Sequence, residues 1–145
     1  YSLFSRDFFQ ISEETDYPAL LKQMADQLET CGYGGAHYAD YVMERESYMS
    51  TVYAHGVAIP HPIQIIAEKN MISVCILHKP LWHEGKEVRI IFMISLTRSS
   101  YEMHKDITRK LYQLMKDEKR LERVLSSRTL EELLIVMKEL DGGSI

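Results

Sequence analysis

Two apolar segments near the middle of the chain decide its fold: MISVCIL at Met71–Leu77 and VRIIFMISL at Val88–Leu96. Both are mostly continuous apolar runs that are rich in isoleucine and valine. Such runs are typical of strands buried on both faces, because a strand with one solvent-exposed face alternates apolar and polar residues. We therefore predict two central strands. The connection between them, Lys79–Lys86, is predicted to be turn-like, and Trp82 within it is interpreted as a core anchor.

Helical periodicity appears on both sides of these strands. Asp16 and Pro18 are a capping residue and a first-turn proline ahead of apolar residues at helical spacing. Thr129 and Glu132 form a capping-box pattern ahead of another such run. Helices are predicted near residues 17–31, 38–46, 103–116 and 130–140. Strands in the middle with helices before and after them predict an α/β fold, in which a mixed central β-sheet is flanked by α-helices.

The composition limits the classes of protein to which the chain can belong. Its 145 residues are expected to form one domain, residues 1–145. Lysine and arginine number 17 against 21 aspartates and glutamates, so the formal net charge is −4. With no basic block, this charge argues against direct contact with nucleic acid, whose binding depends on lysine and arginine. No apolar stretch approaches the roughly 20 residues of a membrane helix, so we predict a soluble segment without membrane contact.

The ends of the chain and its two cysteines add three expectations. The first residue is Tyr1 rather than Met, which favours a C-terminal fragment of a longer polypeptide. Cys31 and Cys75 lie in different predicted elements without CxxC spacing, which favours buried, reduced thiols in a cytoplasmic protein over a disulfide. The tail, residues 141–145, is expected to fray.

Most motifs of catalysis and ligand binding are missing from the sequence. Six histidines are present, but HExxH and CxxC do not occur, so no metal site is predicted. GxSxG, which would indicate a hydrolase, does not occur either. The phosphate-binding patterns GxxxxGK[ST] and GxGxxG are also missing. These patterns therefore indicate no zinc site, no hydrolase triad and no glycine-rich phosphate loop.

The loop Gly56–Pro62 is the best candidate for chemistry. His61 lies between Pro60 and Pro62, so its backbone has little freedom, and the apolar residues before it are expected to anchor the loop on the core. An imidazole near its ordinary pKa of about 6.5 is largely neutral at cytoplasmic pH, which leaves one ring nitrogen as a free nucleophile. The residues alone nevertheless favour the alternative, an ordinary histidine in a surface loop.

A longer motif contains this loop. Residues 45–61 read RESYMSTVYAHGVAIPH. This run resembles the signature RE(x)4T(x)4G[IV]AIPH of the mannitol/fructose-type (type 2) enzyme IIA domain of the bacterial phosphoenolpyruvate-dependent sugar phosphotransferase system. The resemblance covers nearly the whole chain, from this motif through the second apolar strand to the final helix. It implies the enzyme IIA fold, a mixed sheet between helices.

The resemblance implies roles for three residues. His61 lies at the family's phosphoacceptor, which takes a phosphoryl group from the phosphohistidine of the carrier protein HPr. His104 matches a second active-site histidine that holds and orients the phosphoryl group, and Arg45 matches an arginine close to the same site. His55 has no matching role. The residue types suit the chemistry, because phosphoryl transfer between two imidazoles depends on positioning and charge stabilisation rather than on a cofactor.

One position departs from the sugar-transporting members. They usually carry glycine after the active histidine, whereas this chain has Pro62, which lacks a backbone N–H. The AIPHP variant resembles the enzyme IIA-like domains fused to transcriptional regulators that contain phosphotransferase regulation domains (PRDs). We therefore rank first a regulatory domain of a PRD regulator, phosphorylated by HPr and acting on other domains of the same polypeptide. The alternative is a sugar-specific phosphocarrier that passes the phosphoryl group to enzyme IIB, and the third hypothesis is a non-phosphorylated interaction domain.

Overall fold

A computed structural model describes residues 2–141 and contains a four-stranded β-sheet with five α-helices. The strands are β1 (Phe9–Ser12), β2 (Val57–Ala58), β3 (Met71–His83) and β4 (Lys86–Ser95). The helices are α1 (Tyr17–Thr30), α2 (Tyr38–Tyr48), α3 (Met103–Lys116), α4 (Glu118–Leu125) and α5 (Leu130–Lys138). The helices predicted from periodicity are therefore all present, with ends that differ by at most a few residues.

The sheet is mixed, as predicted. Its strand order is β1-β3-β4-β2. Strand β1 runs parallel to β3, the central pair β3 and β4 is antiparallel, and β2 runs parallel to β4. The two short strands at the edges were not predicted, because segments of four and two residues are too short to display a period.

Both faces of the central strands are buried. Alternate side chains of β3 and β4 point to opposite faces, so Cys75 and Met93 join one core with α1 and α2. Val74 and Phe92 join a second core with α3, α4 and α5. This arrangement explains why the two segments read as continuous apolar runs, and it confirms that they are doubly buried strands.

Two helices begin at the predicted capping residues. The Ala19 N–H donates a hydrogen bond of 3.2 Å to the Asp16 side chain at the start of α1. At the start of α5, the Glu132 N–H donates to Thr129 Oγ1 at 3.2 Å, and the Arg128 N–H donates to the Glu132 carboxylate at 2.8 Å. Each cap contributes about 1 kcal/mol to the stability of its helix.

The connection between the central strands is shorter than predicted. Most of Lys79–Lys86 belongs to β3 and β4, and only Glu84 and Gly85 form the turn, both with positive φ. The pairing continues because Leu81 is buried opposite Val88 after a shift in register. The prediction of a turn over the whole segment is therefore wrong.

Two predictions of burial are also wrong. Trp82 is 68% exposed, because it follows the buried Leu81 and successive strand residues face opposite sides. Its interpretation as a core anchor fails for that reason. Cys75 is buried, but Cys31 is exposed at the end of α1. Both cysteines carry free thiols.

Two further observations concern membrane-spanning helices and the C-terminal tail. None of the helices within residues 2–141 is both long enough and apolar enough to cross a membrane. The predicted fraying of the C-terminal tail concerns residues 142–145, which lie outside the described residues.

Candidate active site

Two parallel strands, β2 and β4, end at the same edge of the sheet. They pair in parallel register, with Ala58 opposite Ile91. His61 lies three residues after the end of β2, and His104 is the second residue of α3, the α-helix that follows β4. The carboxyl ends of neighbouring parallel strands are where open α/β sheets commonly place ligand sites. The centroids of the two histidine rings lie 5.2 Å apart, with an angle of 76° between the ring planes.

The segment that carries His61 is anchored to the core. The three residues before Pro60 are buried. The Ile59 N–H donates a hydrogen bond to the Thr51 carbonyl oxygen at 2.9 Å, and the Ile94 N–H donates to the Pro60 carbonyl oxygen at 3.0 Å. The two residues that precede His61 are thus bonded to two different parts of the structure. The predicted anchoring of the loop is confirmed.

Entry into this segment requires glycine. Gly56 has φ +78°, a conformation that costs glycine little but strains other residues. A Cβ atom at this position would lie 2.8 Å from Cγ and Cδ of Arg89. His55, which precedes it, also has positive φ, and its Nδ1 lies 3.8 Å from Glu118 Oε1 in α4. This carboxylate is the partner of His55, and no ring contact between His55 and the other two histidines is found among residues 2–141.

A hydrogen bond fixes which nitrogen of His61 is free. Nδ1 lies 3.1 Å from the carbonyl oxygen of Ile59. A carbonyl oxygen only accepts, so Nδ1 must carry the proton and donate. In the neutral ring the lone pair then lies on Nε2. The structure therefore presents His61 as a nucleophile through Nε2.

His104 is held mainly by residues of its own helix and the turn before it. Its ring stacks on Tyr101, with centroids 5.1 Å apart and planes at 16°. Thr108, one turn further along α3, donates its hydroxyl to the His104 carbonyl oxygen at 2.7 Å. The Thr108 hydroxyl oxygen also lies 3.4 Å from His104 Nδ1. Within the described residues, Nε2 of His104 is buried and has no hydrogen-bond partner.

Both histidines are shifted towards the neutral form. Burial lowers the pKa of His61, the hydrogen bond to Ile59 opposes this shift, and the positive charge of Arg45 adds to it. Burial also lowers the pKa of His104, and proximity to His61 lowers it further. The sequence predicted an ordinary pKa for His61, because burial and a neighbouring cation are properties of the folded structure.

Arg45 reaches the site from α2. Its Nη1 donates a hydrogen bond of 2.7 Å to the carbonyl oxygen of Met49, just beyond the end of the helix. No hydrogen bond joins Arg45 to either histidine within the described residues, and its influence on His61 is electrostatic. The structure thus brings His61 and His104 together and places the charge of Arg45 near His61.

The chemical character of the site suits an anionic ligand. It combines two imidazoles with a guanidinium, and both kinds of group donate hydrogen bonds to phosphoryl oxygens. Within residues 2–141, no group of three or more histidine, cysteine, aspartate or glutamate side chains lies close enough to hold a metal ion.

Sequence reasoning assigned no role to three residues that contact this site. Tyr101 stacks on His104, and Thr108 lies beside its ring. Their spacing of three and four residues from His104 is the helical spacing that could have identified them. Glu46 was quoted in the signature and as the neighbour of Arg45 but was given no role, although its carboxylate binds the buried Thr51.

Comparison with known proteins identifies a family and two similar proteins. The model of the family described as "Phosphoenolpyruvate-dependent sugar phosphotransferase system, EIIA 2" matches residues 2–140. The mannitol-specific phosphotransferase enzyme IIA component of Halalkalibacterium halodurans is 31% identical over 113 residues, which are 76% of this chain and 76% of that protein. The probable licABCH operon regulator of Bacillus subtilis is 22% identical over 114 residues, which are 79% of this chain but only 18% of the regulator.

The fold also matches a solved structure. In the complex of mannitol enzyme IIA with phosphorylated mannitol enzyme IIB from Escherichia coli, the matched chain superimposes with a TM-score of 0.79 at 17% identity. The match covers 94% of this chain and 99% of that one. At this identity the likeness concerns the fold alone, and it confirms the predicted enzyme IIA architecture.

Proposed function

Because the chain belongs to the EIIA 2 family of the phosphoenolpyruvate-dependent sugar phosphotransferase system, we propose that it is a phosphohistidine carrier domain. His61 accepts a phosphoryl group from HPr and passes it to an enzyme IIB. The observation that carries this proposal is the hydrogen bond from His61 Nδ1 to the Ile59 carbonyl oxygen, which leaves the Nε2 lone pair free. The domain acts as a phosphoryl acceptor and carrier rather than as an enzyme with turnover of its own.

The transfer step exchanges one nitrogen–phosphorus bond for another. The Nε2 lone pair of His61 forms the new bond, and the electron pair of the breaking bond returns to the imidazole of the donor phosphohistidine. A PO3 unit with one negative charge changes rings. Nδ1 of His61 keeps its proton, and the donor ring carries a proton on its other nitrogen, so that it leaves as a neutral imidazole. The transition state of such a transfer is loose, so that correct positioning of the attacking nitrogen supplies much of the rate.

His104 and Arg45 stabilise the negative charge of the phosphoryl group on His61. A phosphoryl group offers only acceptors, so it supplies the partner that the buried Nε2 of His104 lacks when that nitrogen carries a proton. The Thr108 hydroxyl donates its one proton to the His104 carbonyl oxygen, so towards Nδ1 of His104 it acts as an acceptor, and Nε2 becomes a donor by binding a second proton. The guanidinium of Arg45 adds a positive charge.

The surface beside the site suits the docking of a carrier protein. Tyr53 and Tyr112 meet edge to face with centroids 5.7 Å apart, and both are partly exposed. Arg45 is near enough to Tyr53 to influence its pKa, which burial raises. Met49, whose carbonyl oxygen binds Arg45, is 69% exposed. Aromatic residues and methionine are enriched in protein–protein interfaces, which supports direct contact with HPr and with enzyme IIB in the cytoplasm.

Two observations bear on the choice between carrier and regulator. The 31% identity to a mannitol-specific enzyme IIA component favours the carrier over the regulatory domain that the sequence ranked first. Pro62 and the similarity to the licABCH operon regulator support the second candidate, in which this chain is the enzyme IIA-like part of a longer PRD regulator. In that case the phosphoryl group would act through its negative charge on neighbouring domains.

The acceptor is tested by phosphorylation in vitro. The purified domain is incubated with phosphoenolpyruvate, enzyme I and HPr, and its intact mass is measured. The wild type and the His78→Ala variant, which alters an exposed histidine on β3, are expected to gain one phosphoryl group. His61→Ala is expected to gain none, because it lacks the nucleophile. Undiminished phosphorylation of His61→Ala would contradict the assignment.

The carrier is distinguished from the regulator by onward transfer. The phosphorylated domain is mixed with a mannitol- or fructose-type enzyme IIB, and loss of its phosphoryl group is followed with time. Rapid, His61-dependent transfer is expected of a carrier. If transfer is slow in the wild type but fast in Pro62→Gly, the missing N–H limits it, and the regulatory role is favoured.

A further inference from the structure

A continuous chain of hydrogen bonds joins the end of α2 to the ring of His61. One carboxylate oxygen of Glu46 accepts from the Thr51 hydroxyl at 2.6 Å, and the other accepts from the Thr51 N–H at 3.0 Å. The Thr51 carbonyl oxygen accepts from the Ile59 N–H at 2.9 Å. The Ile59 carbonyl oxygen accepts from His61 Nδ1 at 3.1 Å. Four residues thus form one path from a helix terminus to the nucleophile.

The middle of this path is buried. Thr51 is completely inaccessible to solvent and is one of few buried polar residues in the described chain. A buried hydroxyl and a buried N–H both need acceptors, and Glu46 satisfies both. Removal of the carboxylate would therefore take away the acceptor of both Thr51 donors.

The location of Glu46 in α2 is unfavourable for the helix itself. It lies in the last turn, where the helix dipole is negative and a carboxylate is repelled. Its neighbour Arg45 is the favourable residue for that position. Stabilisation of the isolated helix therefore does not account for Glu46, whereas its two hydrogen bonds to Thr51 do.

Ile59 transmits the position of Thr51 to the histidine. Its N–H is bonded to Thr51, and its carbonyl oxygen is bonded to the His61 ring. A rotation of this peptide segment would move the acceptor that holds the proton on Nδ1. The free lone pair would then be divided between Nδ1 and Nε2.

We propose that Glu46 is a positioning residue for phosphoryl transfer, which through Thr51 and Ile59 fixes the tautomer and orientation of the His61 ring. This inference rests on the proposed role of His61 as the acceptor. The two neighbouring residues at the end of α2 then have different roles. Arg45 supplies positive charge to the site, and Glu46 holds the backbone that orients the nucleophile.

The first test reads the His61 ring in the unphosphorylated domain, so that it does not depend on the phosphotransferase reaction. Nitrogen-15 NMR of the imidazoles distinguishes a ring protonated on Nδ1 from one protonated on Nε2. The wild type is expected to carry the proton on Nδ1, and Glu46→Ala is expected to show a mixture of the two tautomers. Glu44→Ala, an exposed glutamate of the same helix, is the matched control and is expected to retain the wild-type tautomer.

The second test measures the rate of phosphorylation by HPr. Glu46→Ala is expected to be slower by about 10- to 100-fold, because small misplacements of a reacting group have effects of that size. Glu46→Gln keeps the shape and one acceptor oxygen and is expected to restore much of the rate. Thr51→Val, which removes only the hydroxyl, is expected to shift both readouts in the same direction by a smaller amount. It serves as the principal variant if Glu46→Ala does not fold.

The outcomes separate this inference from the proposed function. An unchanged His61 tautomer in Glu46→Ala and Thr51→Val overturns the positioning role, whatever happens to the rate. A wild-type rate in both variants also overturns it. Failure of the wild type to be phosphorylated at all, with the Nδ1 proton in place, would instead contradict the proposed function and leave the hydrogen-bond path intact.

Discussion

The segment that carries His61 and the start of α3 that carries His104 meet at one site but are held by different kinds of contact. His61 depends on bonds to residues distant in the chain, since Pro60 is bonded to Ile94 of β4 and the ring is linked to Glu46 of α2. His104 depends on near neighbours in its own helix and the turn before it. The nucleophile is thus oriented by the tertiary structure, and the supporting ring is oriented by the helix.

This difference suits the two proposed roles. An attacking nitrogen must point in one direction, and the Ile59 carbonyl oxygen allows only one tautomer of His61. A ring that binds a phosphoryl oxygen must instead present an N–H donor when the phosphoryl group arrives. The Thr108 hydroxyl oxygen permits this change, because it can accept from Nδ1 of His104 while Nε2 binds the proton that makes it a donor.

The largest effect within this comparison is expected from His104→Ala. Removing a positioned donor from a charged transition state commonly costs a factor of 100 or more, and we expect about 10- to 100-fold slower phosphorylation because the site is partly open to solvent. Rapid-quench kinetics with phosphorylated HPr measures the rate, with His78→Ala as the control. Loss of all phosphorylation would show that His104 is as essential as the acceptor His61. An unchanged rate would show that His104 has no role in the transfer.

Gly56→Ala tests the tertiary support of the His61 segment. Positive φ costs a non-glycine residue about 1–2 kcal/mol, and the new Cβ would also displace Arg89 from its ion pair with Glu122. We expect the free energy of unfolding to fall by about 2–3 kcal/mol, measured by urea denaturation. Gly85→Ala is the matched control, because Gly85 has the same φ of +78° but no atom within 4 Å of the added Cβ. Equal losses in the two variants would mean that the contact with Arg89 contributes nothing.

The lowered pKa values predict how stability depends on pH. Both histidines bind protons less readily in the folded state than in the unfolded state, where their pKa is about 6.5. The unfolded state therefore binds more protons as the pH falls below about 6.5, and stability is lost between that value and the lower folded pKa. Urea titrations at a series of pH values should show a smaller loss for His61→Gln than for the wild type. An equal loss would mean that burial does not shift His61.

The smallest effect is expected from Thr108→Val, which removes the local partner of His104 and keeps its shape. The stack on Tyr101 remains, so we expect phosphorylation to slow only a few-fold, corresponding to about 1 kcal/mol or less. The same kinetic assay measures it, and the His61 tautomer should not change. A loss as large as that of His104→Ala would mean that the hydroxyl, rather than the helix, holds the ring.

Several features of the fold could be predicted because they arise from short-range effects. The capping residues Asp16 and Thr129 act on N–H groups three residues away, so their patterns are visible in the sequence and are present in the structure. The buried strands could be recognised because burial on two faces removes polar residues from the run. Trp82 was misplaced because a register shift within β3 decides which residues near it face inward.

The candidate site also combines features that the sequence predicts with features that only the folded structure determines. The sequence alone identifies His61 as a rigid histidine between two prolines, because each proline ring restricts the backbone beside it. The role of His61 as a phosphoacceptor is implied only by the resemblance of the AIPH motif and the residues upstream of it to the family's signature. The proximity of His104 could be inferred only from the resemblance, since nothing in its own sequence surroundings points to His61. In the structure the two residues meet because β2 and β4 are parallel neighbours that end at one edge of the sheet. The tautomer of His61, its lowered pKa and the path from Glu46 likewise depend on burial and on hydrogen bonds between distant residues, and these exist only after the chain has folded.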